Sequence, residues 1–323
     1  MSTLGDMLNL KFDSLLDFAE AFPNEEACIK YLEQLIWYGI PVSPFNRASK
    51  VYTCANGKYF CKETKKYFTI KTGTMFENSK VSLRQWFMAT YLVTSNSSGC
   101  SATNLARKIG VTRKTAHYML LKLSVNLGFE NRNKLSNVVE VDESYVGGKN
   151  KNRHRDKRYK GVQGRAAKDK VPVFGMIERD GKLNAFVVND VGSKTLTKWV
   201  ARFVTPSSVV MSDEWKSYNC LNSHYEHHIV EHGKGQYVSE SAHTNTMEGF
   251  WSILKSSICS VYRHVSRKYM QYYVNSSVFR YNTRKMSDCE RMLWALQHST
   301  KNITQGELIH GFRNKIRVKA YAA

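Results

Sequence analysis

The order of short apolar runs between residues 138 and 231 narrows most sharply what this chain can fold into. Residues 138–142, 171–177 and 183–188 read as three successive strands, 194–203 as a helix, and 208–211 and 227–231 as two further strands. Residues 244–257 and 267–281 then repeat apolar side chains at helical spacing. Three strands, a helix, a strand and later helices predict an α/β domain built on a mixed sheet.

The first 133 residues follow a different pattern. Residues 1 to about 40 are helical in character, interrupted by Pro23 and ended by Gly39 and Pro41. Tyr52, Cys54, Tyr59, Cys61, Tyr67 and Thr69 then alternate around Asn56-Gly57, which predicts a hairpin. From Trp86 to Val93 an apolar helix is expected. Beyond it, residues 101–108 form one helix, Gly110-Val111 a turn, Thr112 an N-cap, and residues 113–123 a second helix. Leu105, Ala106, Val111, Ala116 and Leu120 are suited to pack the pair together, leaving Arg113, Lys114 and His117 outside. That is the layout of a helix-turn-helix whose outer residues enter a DNA groove, although an ordinary helical hairpin with a basic face has the same pattern.

Charge favours the first of these. The 323 residues carry 48 Lys and Arg against 27 Asp and Glu, a formal charge of +21. Such an excess points to a polyanion, nucleic acid first, bound in a salt-sensitive way. Ten of the 22 residues from Lys149 to Lys170 are basic, directly after Asp142. This is either a solvated loop or a segment lying along a nucleic-acid backbone. No apolar run approaches the length of a membrane span, and the N-terminus lacks a signal pattern, so an intracellular protein is expected. The seven cysteines are odd in number and never spaced as CxxC, which indicates reduced thiols.

Within the α/β domain, three acids fall where the topology brings elements together. Asp142 is expected at the end of the first strand, Asp213 just past the fourth and Glu248 in the first turns of a later helix. Clustered carboxylates repel one another unless cations lie between them, and Mg²⁺ or Mn²⁺ prefers such oxygen ligands. Two such ions can serve both halves of phosphoryl transfer. On position alone, Glu143 and Glu214 compete for the first two places.

The surrounding blocks separate these candidates. Val141-Asp-Glu-Ser-Tyr-Val-Gly-Gly-Lys149, Ser212-Asp-Glu-Trp-Lys-Ser-Tyr218 and His243-Thr-Asn-Thr-Met-Glu-Gly-Phe-Trp-Ser-Ile-Leu-Lys255 resemble the three catalytic blocks of the ISXO-type, Merlin-related insertion-sequence transposases. Val265-Ser-Arg-Lys268 and Phe279-Arg-Tyr-Asn-Thr-Arg284 extend the resemblance across most of residues 137–285. It implies a ribonuclease H-like mixed sheet with flanking helices and a DDE-type site, in which Asp142, Asp213 and Glu248 match the acids that hold divalent metal, two ions per site. Lys255, seven residues after Glu248, matches a basic residue that holds a phosphate of the DNA end. Asn245 and His243 are lesser candidates for the third position, and Lys149, Arg113, Lys114 and His117 complete the expected DNA contacts. Trp215 and Tyr218 fit packing beneath the second acid better than stacking on a base.

The resemblance continues into the N-terminal segment with a departure. Where relatives carry a zinc ribbon with two CxxC pairs, Ser43, Asn46 and Thr64 stand in cysteine positions and Cys61 alone is kept. A degenerate, ribbon-like region without structural zinc is therefore expected.

The expected organisation is an N-terminal helical and ribbon-like region at 1–80, a helix-turn-helix at 81–133, the catalytic domain at 134–285 and a basic C-terminal segment at 286–323. The expected function is metal-dependent cleavage of terminal inverted repeats and strand transfer to target DNA, by a homodimer or larger assembly in a bacterial-type cytoplasm, associated with the nucleoid. A DNA-binding protein that has kept the catalytic domain as a scaffold, and a nuclease without the joining step, are the alternatives.

Overall fold

The computed structural model describes residues 10–12, 14–55, 57–147, 154–157, 170–230, 245–300, 302–304 and 306–308. Lys149, His243, most of the basic run 149–170 and the basic positions from Arg313 onward lie outside them. The chain divides into two compact units, Met1–Asn126 with Lys285–Ala323, and Leu127–Arg284.

In the first unit, helices α1 (Leu15–Ala21) and α2 (Glu25–Trp37) flank Pro23. Asn24 caps the second, its side chain accepting from the Ala27 N–H at 2.9 Å. Strands β1 (Val51–Thr53), β2 (Tyr59–Cys61) and β3 (Lys66–Phe68) form an antiparallel sheet, with Thr53 opposite Tyr59 across the expected hairpin. Helix α3 (Leu83–Ser95) begins at a capping box between Ser82 and Gln85. Helices α4 (Ala102–Ile109) and α5 (Arg113–Leu127) are joined through Gly110 in the left-handed region (φ 70°). Thr112 caps α5 by accepting from the Thr115 N–H at 3.2 Å. Leu105, Ala106 and Ala116 are buried, and Val111 and Leu120 half-buried. A helix at Asp288–Gln297 packs on α3 within the same unit.

Cys61 faces the interior of the small sheet, fully buried. Although burial pushes its thiol up, hydrogen bonding from Ser43, Ser49 and the Thr64 backbone more than offsets this and brings it down to about 6. Ser43 Oγ also accepts from the N–H groups of Phe45 and Asn46, at 3.2 and 3.4 Å. Ser43 thus lies against Cys61, whereas the Asn46 amide donates to Glu63 instead.

The second unit is a five-stranded mixed sheet with helices on both faces. Its strands are β4 (Val138–Val146), β5 (Val171–Glu178), β6 (Leu183–Val187), β7 (Val209–Asp213) and β8 (Glu226–Val230), in spatial order β6-β5-β4-β7-β8. The first three pair antiparallel, whereas β7 and β8 join parallel to β4. Helix α6 (Ser193–Phe203) covers one face, where Leu196, Val200 and Phe203 pack with Val139, Val141 and Phe174. Helices α7 (Asn245–Ser257) and α8 (Met270–Asn282) belong to the core of the other, where Phe250, Trp251, Leu254 and Val274 meet Val146, Val173 and Ala185. Period-2 alternation along β4 sends Glu140 and Asp142 to the α7 face and Val139, Val141 and Glu143 to the α6 face. Among the described residues, no helix is long and apolar enough to cross a membrane.

Candidate active site

Strand β4 continues four residues beyond Asp142, so this acid stands in mid-strand, opposite Gly175 of β5, rather than at the strand's end. The opening lies on its other side. The parallel ladder between β4 and β7 ends at Glu140 and Met211, and two residues further along each strand stand Asp142 and Asp213. Parallel register directs both to the same face, where their charges act on each other.

Each acid is held. Trp251 of α7 donates its indole N–H to Asp142 Oδ2 at 2.8 Å, and the Glu143 N–H donates to Oδ1 at 2.8 Å. Asp213 Oδ1 accepts from the Trp215 N–H at 3.0 Å, at the start of the 3-10 turn Lys216–Ser223. Burial, the Glu143 charge and then the Asp213 charge push the Asp142 carboxyl up to about 7, against the two hydrogen bonds that pull it down. A half-buried carboxyl so raised, beside another carboxylate, is a donor set that a hard divalent cation would relieve. The oxygens of Asp142 and Asp213 fit such an ion.

Glu248, the matching third acid, lies exposed in the first turn of α7. Among the described residues, no group of three or more His, Cys, Asp or Glu side chains is placed to hold a metal ion. Two of the three expected acids are thus brought together, and the third is not joined to them. Trp251, which grips Asp142, follows Glu248 by three positions, and exposed Lys255 follows it by seven, a spacing that sets all three along one stripe of the helix. Asn245 is the first residue of α7, also exposed.

The competing acids are otherwise engaged or exposed. Glu143 is buried on the opposite face, its Oε2 accepting from the Tyr218 hydroxyl at 2.7 Å. Tyr218 is fully buried, and burial and the Glu143 charge hold its phenol well above its usual range, so it packs and does not stack on a base. Trp215 is 37% exposed, and Glu214 is exposed. In the first unit, Arg113 and Lys114 are exposed at the start of α5, while His117 is half-buried. Burial and then the Arg113 charge hold His117 below the usual range.

Three residues that position the site were not among the sequence candidates. Glu140 is fully buried on the Asp142 face of β4. It accepts from Arg179 Nε at 3.1 Å, Thr246 Oγ1 at 3.1 Å and the Met247 N–H at 3.2 Å, tying the N-terminus of α7 to the central strand. An acid two residues before Asp142 in an apolar strand was the available signal. Trp251 carried one too, a single turn after Glu248. Gly175 carried none, because its role depends on pairing. A Cβ there would stand 2.3 Å from Met247 Cε and 2.8 and 2.9 Å from the indole of Trp251.

Gly175→Ala should therefore force Met247 aside and shift the indole that holds Asp142. A loss of about 1–3 kcal/mol in urea denaturation is expected. An unchanged midpoint would mean that α7 has room to spare over β5.

Comparisons with known proteins agree with this domain. Residues 134–282 match the model of the ISXO2-like transposase domain. A protein of Halobacterium salinarum described as an uncharacterized protein in transposable element ISH50 is 29% identical over 274 residues, covering 81% of this chain and 92% of the relative. A solved structure of a pre-cleavage Mos1 transpososome aligns with 63% of this chain and 75% of that one, at 9% identity and a TM-score of 0.25, a likeness too low to bear on the fold.

Proposed function

We propose that this chain, whose residues 134–282 match the ISXO2-like transposase domain, cleaves the terminal inverted repeats of its own element and joins the freed ends to target DNA. The observation that carries this is the pair Asp142 and Asp213, side by side where the β4–β7 ladder opens, with the first carboxyl raised to about 7. The mixed sheet, with its first strand central, antiparallel neighbours on one side and parallel ones on the other, supports a ribonuclease H-like domain.

Asp142 and Asp213 would hold Mg²⁺ or Mn²⁺, two ions per site, with Glu248 as the third acid. Bound divalent metal would supply activation of the attacking water or 3′-hydroxyl and stabilisation of the leaving oxygen. Trp251 keeps Asp142 turned toward the opening while its second oxygen is held by backbone. Glu140 and Arg179 keep the first turn of α7, and with it Glu248, against the sheet. Lys255, two turns along the same stripe, is suited to a DNA phosphate. Asn245 and His243 are the neighbours to test at the third position, and Lys149 is a further candidate DNA contact.

Helices α4 and α5 support a helix-turn-helix reading: Arg113 and Lys114 are presented at the start of the second helix, as groove contacts require, with His117 one turn on. Two DNA ends require at least two active sites, hence a homodimer or larger assembly on DNA.

The test incubates the whole protein with Mg²⁺ or Mn²⁺ and labelled DNA carrying the sequences that flank its gene. Cleavage followed by joining is expected. Cleavage without joining would replace the proposal with a nuclease, and binding alone with a regulator built on a transposase scaffold.

A further inference from the structure

The outer face of the small sheet in the first unit carries a row of aromatic rings, one from each strand. Tyr52 pairs with Phe60 and Phe60 with Tyr67, while Tyr59, Cys61 and Phe68 turn to the other face and are buried. Tyr52 is 41% and Tyr67 63% exposed; Phe60 is half-buried between them, its ring 5.0 Å from that of Tyr67. At ordinary strand spacing such a row spans about 10 Å.

Cations surround the rings. Lys50 Nζ stands 5.3 Å from the Tyr52 ring centre. Lys58, Lys62 and Lys65 are also exposed around the sheet. From Arg47 to Lys71 the sequence has seven basic residues (47, 50, 58, 62, 65, 66 and 71) and one acidic residue, Glu63.

We propose that this face is a stacking platform for unpaired DNA bases, holding two or three nucleotides of a single strand. Flat rings beside ammonium groups match the alternation of base and phosphate along a single strand. A duplex hides its base faces and would engage only the cations. A second copy of the chain is disfavoured on the same face, because it would set the lysines around one row of rings against those around the other. The inference shares with the proposed function only the assumption that DNA is the polymer bound.

The test measures fluorescence anisotropy of the full chain with a labelled oligothymidylate of roughly 12 nucleotides, and with its duplex on oligodeoxyadenylate. Tyr52→Ser/Tyr67→Ser alters only exposed rings, and an unchanged melting temperature would confirm that it folds. Single-strand affinity should fall about 10- to 100-fold, and duplex affinity by no more than about twofold. Iododeoxyuridine in the strand should crosslink to Tyr52 or Tyr67. Unchanged single-strand binding, or equal weakening of both DNAs, would overturn the platform. So would loss of self-association in the variant with no change in DNA binding. Because this assay reads no cleavage, its failure leaves the transposase proposal standing, and failure of the cleavage assay leaves this result untouched.

Discussion

Asp142→Asn is expected to lower DNA cleavage by roughly a thousandfold or more while making the metal-free protein more stable at pH 8. The first effect follows from the proposed role of Asp142 as a ligand of divalent metal, since several kcal/mol of transition-state stabilisation correspond to factors of this size. The second follows from the carboxyl's position. Its pKa rises from 3.8 to about 7 on folding, so between those values the folded chain keeps a proton that the unfolded chain has released. Stability is therefore lost as pH rises from about 4 to about 7, and above that the full cost of the buried charge remains.

The amide carries no such charge and can still accept from Trp251. Thermal melts in EDTA should place the variant above the parent by roughly 4–10 °C at pH 8, for a relief of about 2–4 kcal/mol. Near pH 4 the two should converge. Full cleavage would remove Asp142 from the site. A variant no more stable than the parent at pH 8 would mean that solvent already screens the carboxylate.

Glu140→Ala is expected to produce the largest loss of stability. Glu140 is fully buried and holds three donors, the Arg179 guanidinium, the Thr246 hydroxyl and the Met247 backbone N–H. Removing it leaves a mostly buried cation and the positive end of α7 without their shared acceptor. Buried ion pairs broken from one side cost about 3–5 kcal/mol, and the partial exposure of Arg179 favours the lower end. Glu140→Gln keeps an acceptor for α7 and loses only the charge, so its cost should be smaller. Urea denaturation orders the three proteins. An alanine variant within about 0.5 kcal/mol of the parent would be the surface-like outcome, and would mean that α7 is held by its apolar face alone. Cleavage should also fall in both variants well below their melting temperatures, because Glu248 and Trp251 ride on that helix.

Most elements were legible as local patterns. The alternation from Val138 onward, the cap at Thr112 and Gly110 in its turn all correspond to structure, because each depends on residues within a few positions. What misled was the end of β4. Ser144 and Tyr145 weaken the apolar signal, yet both pair with β5, Ser144 with Val173 and Tyr145 with Pro172, so the strand runs on to Val146. Asp142 was consequently expected at a strand end, whereas the place where the sheet opens is set by how far β7 accompanies β4.

The acids themselves were chosen from the sequence because short blocks distinguish Asp142 from Glu143 and Asp213 from Glu214. The structure adds a physical difference for the first pair: adjacent residues on a strand face opposite ways, and Glu143 is engaged by Tyr218. It does not join Glu248 to the other two.

By itself, then, the sequence determined the kinds of element, their order, the basic character and the candidate acids, since periodicity, capping and composition are properties of neighbouring residues. Only tertiary structure decided that Asp142 meets Asp213 across an opening ladder, that Gly175 leaves room for Trp251 to reach Asp142, and that Glu140 anchors the helix bearing Glu248. Those relations join residues 33 to 109 positions apart, and register and close packing between distant strands and helices have no local signature.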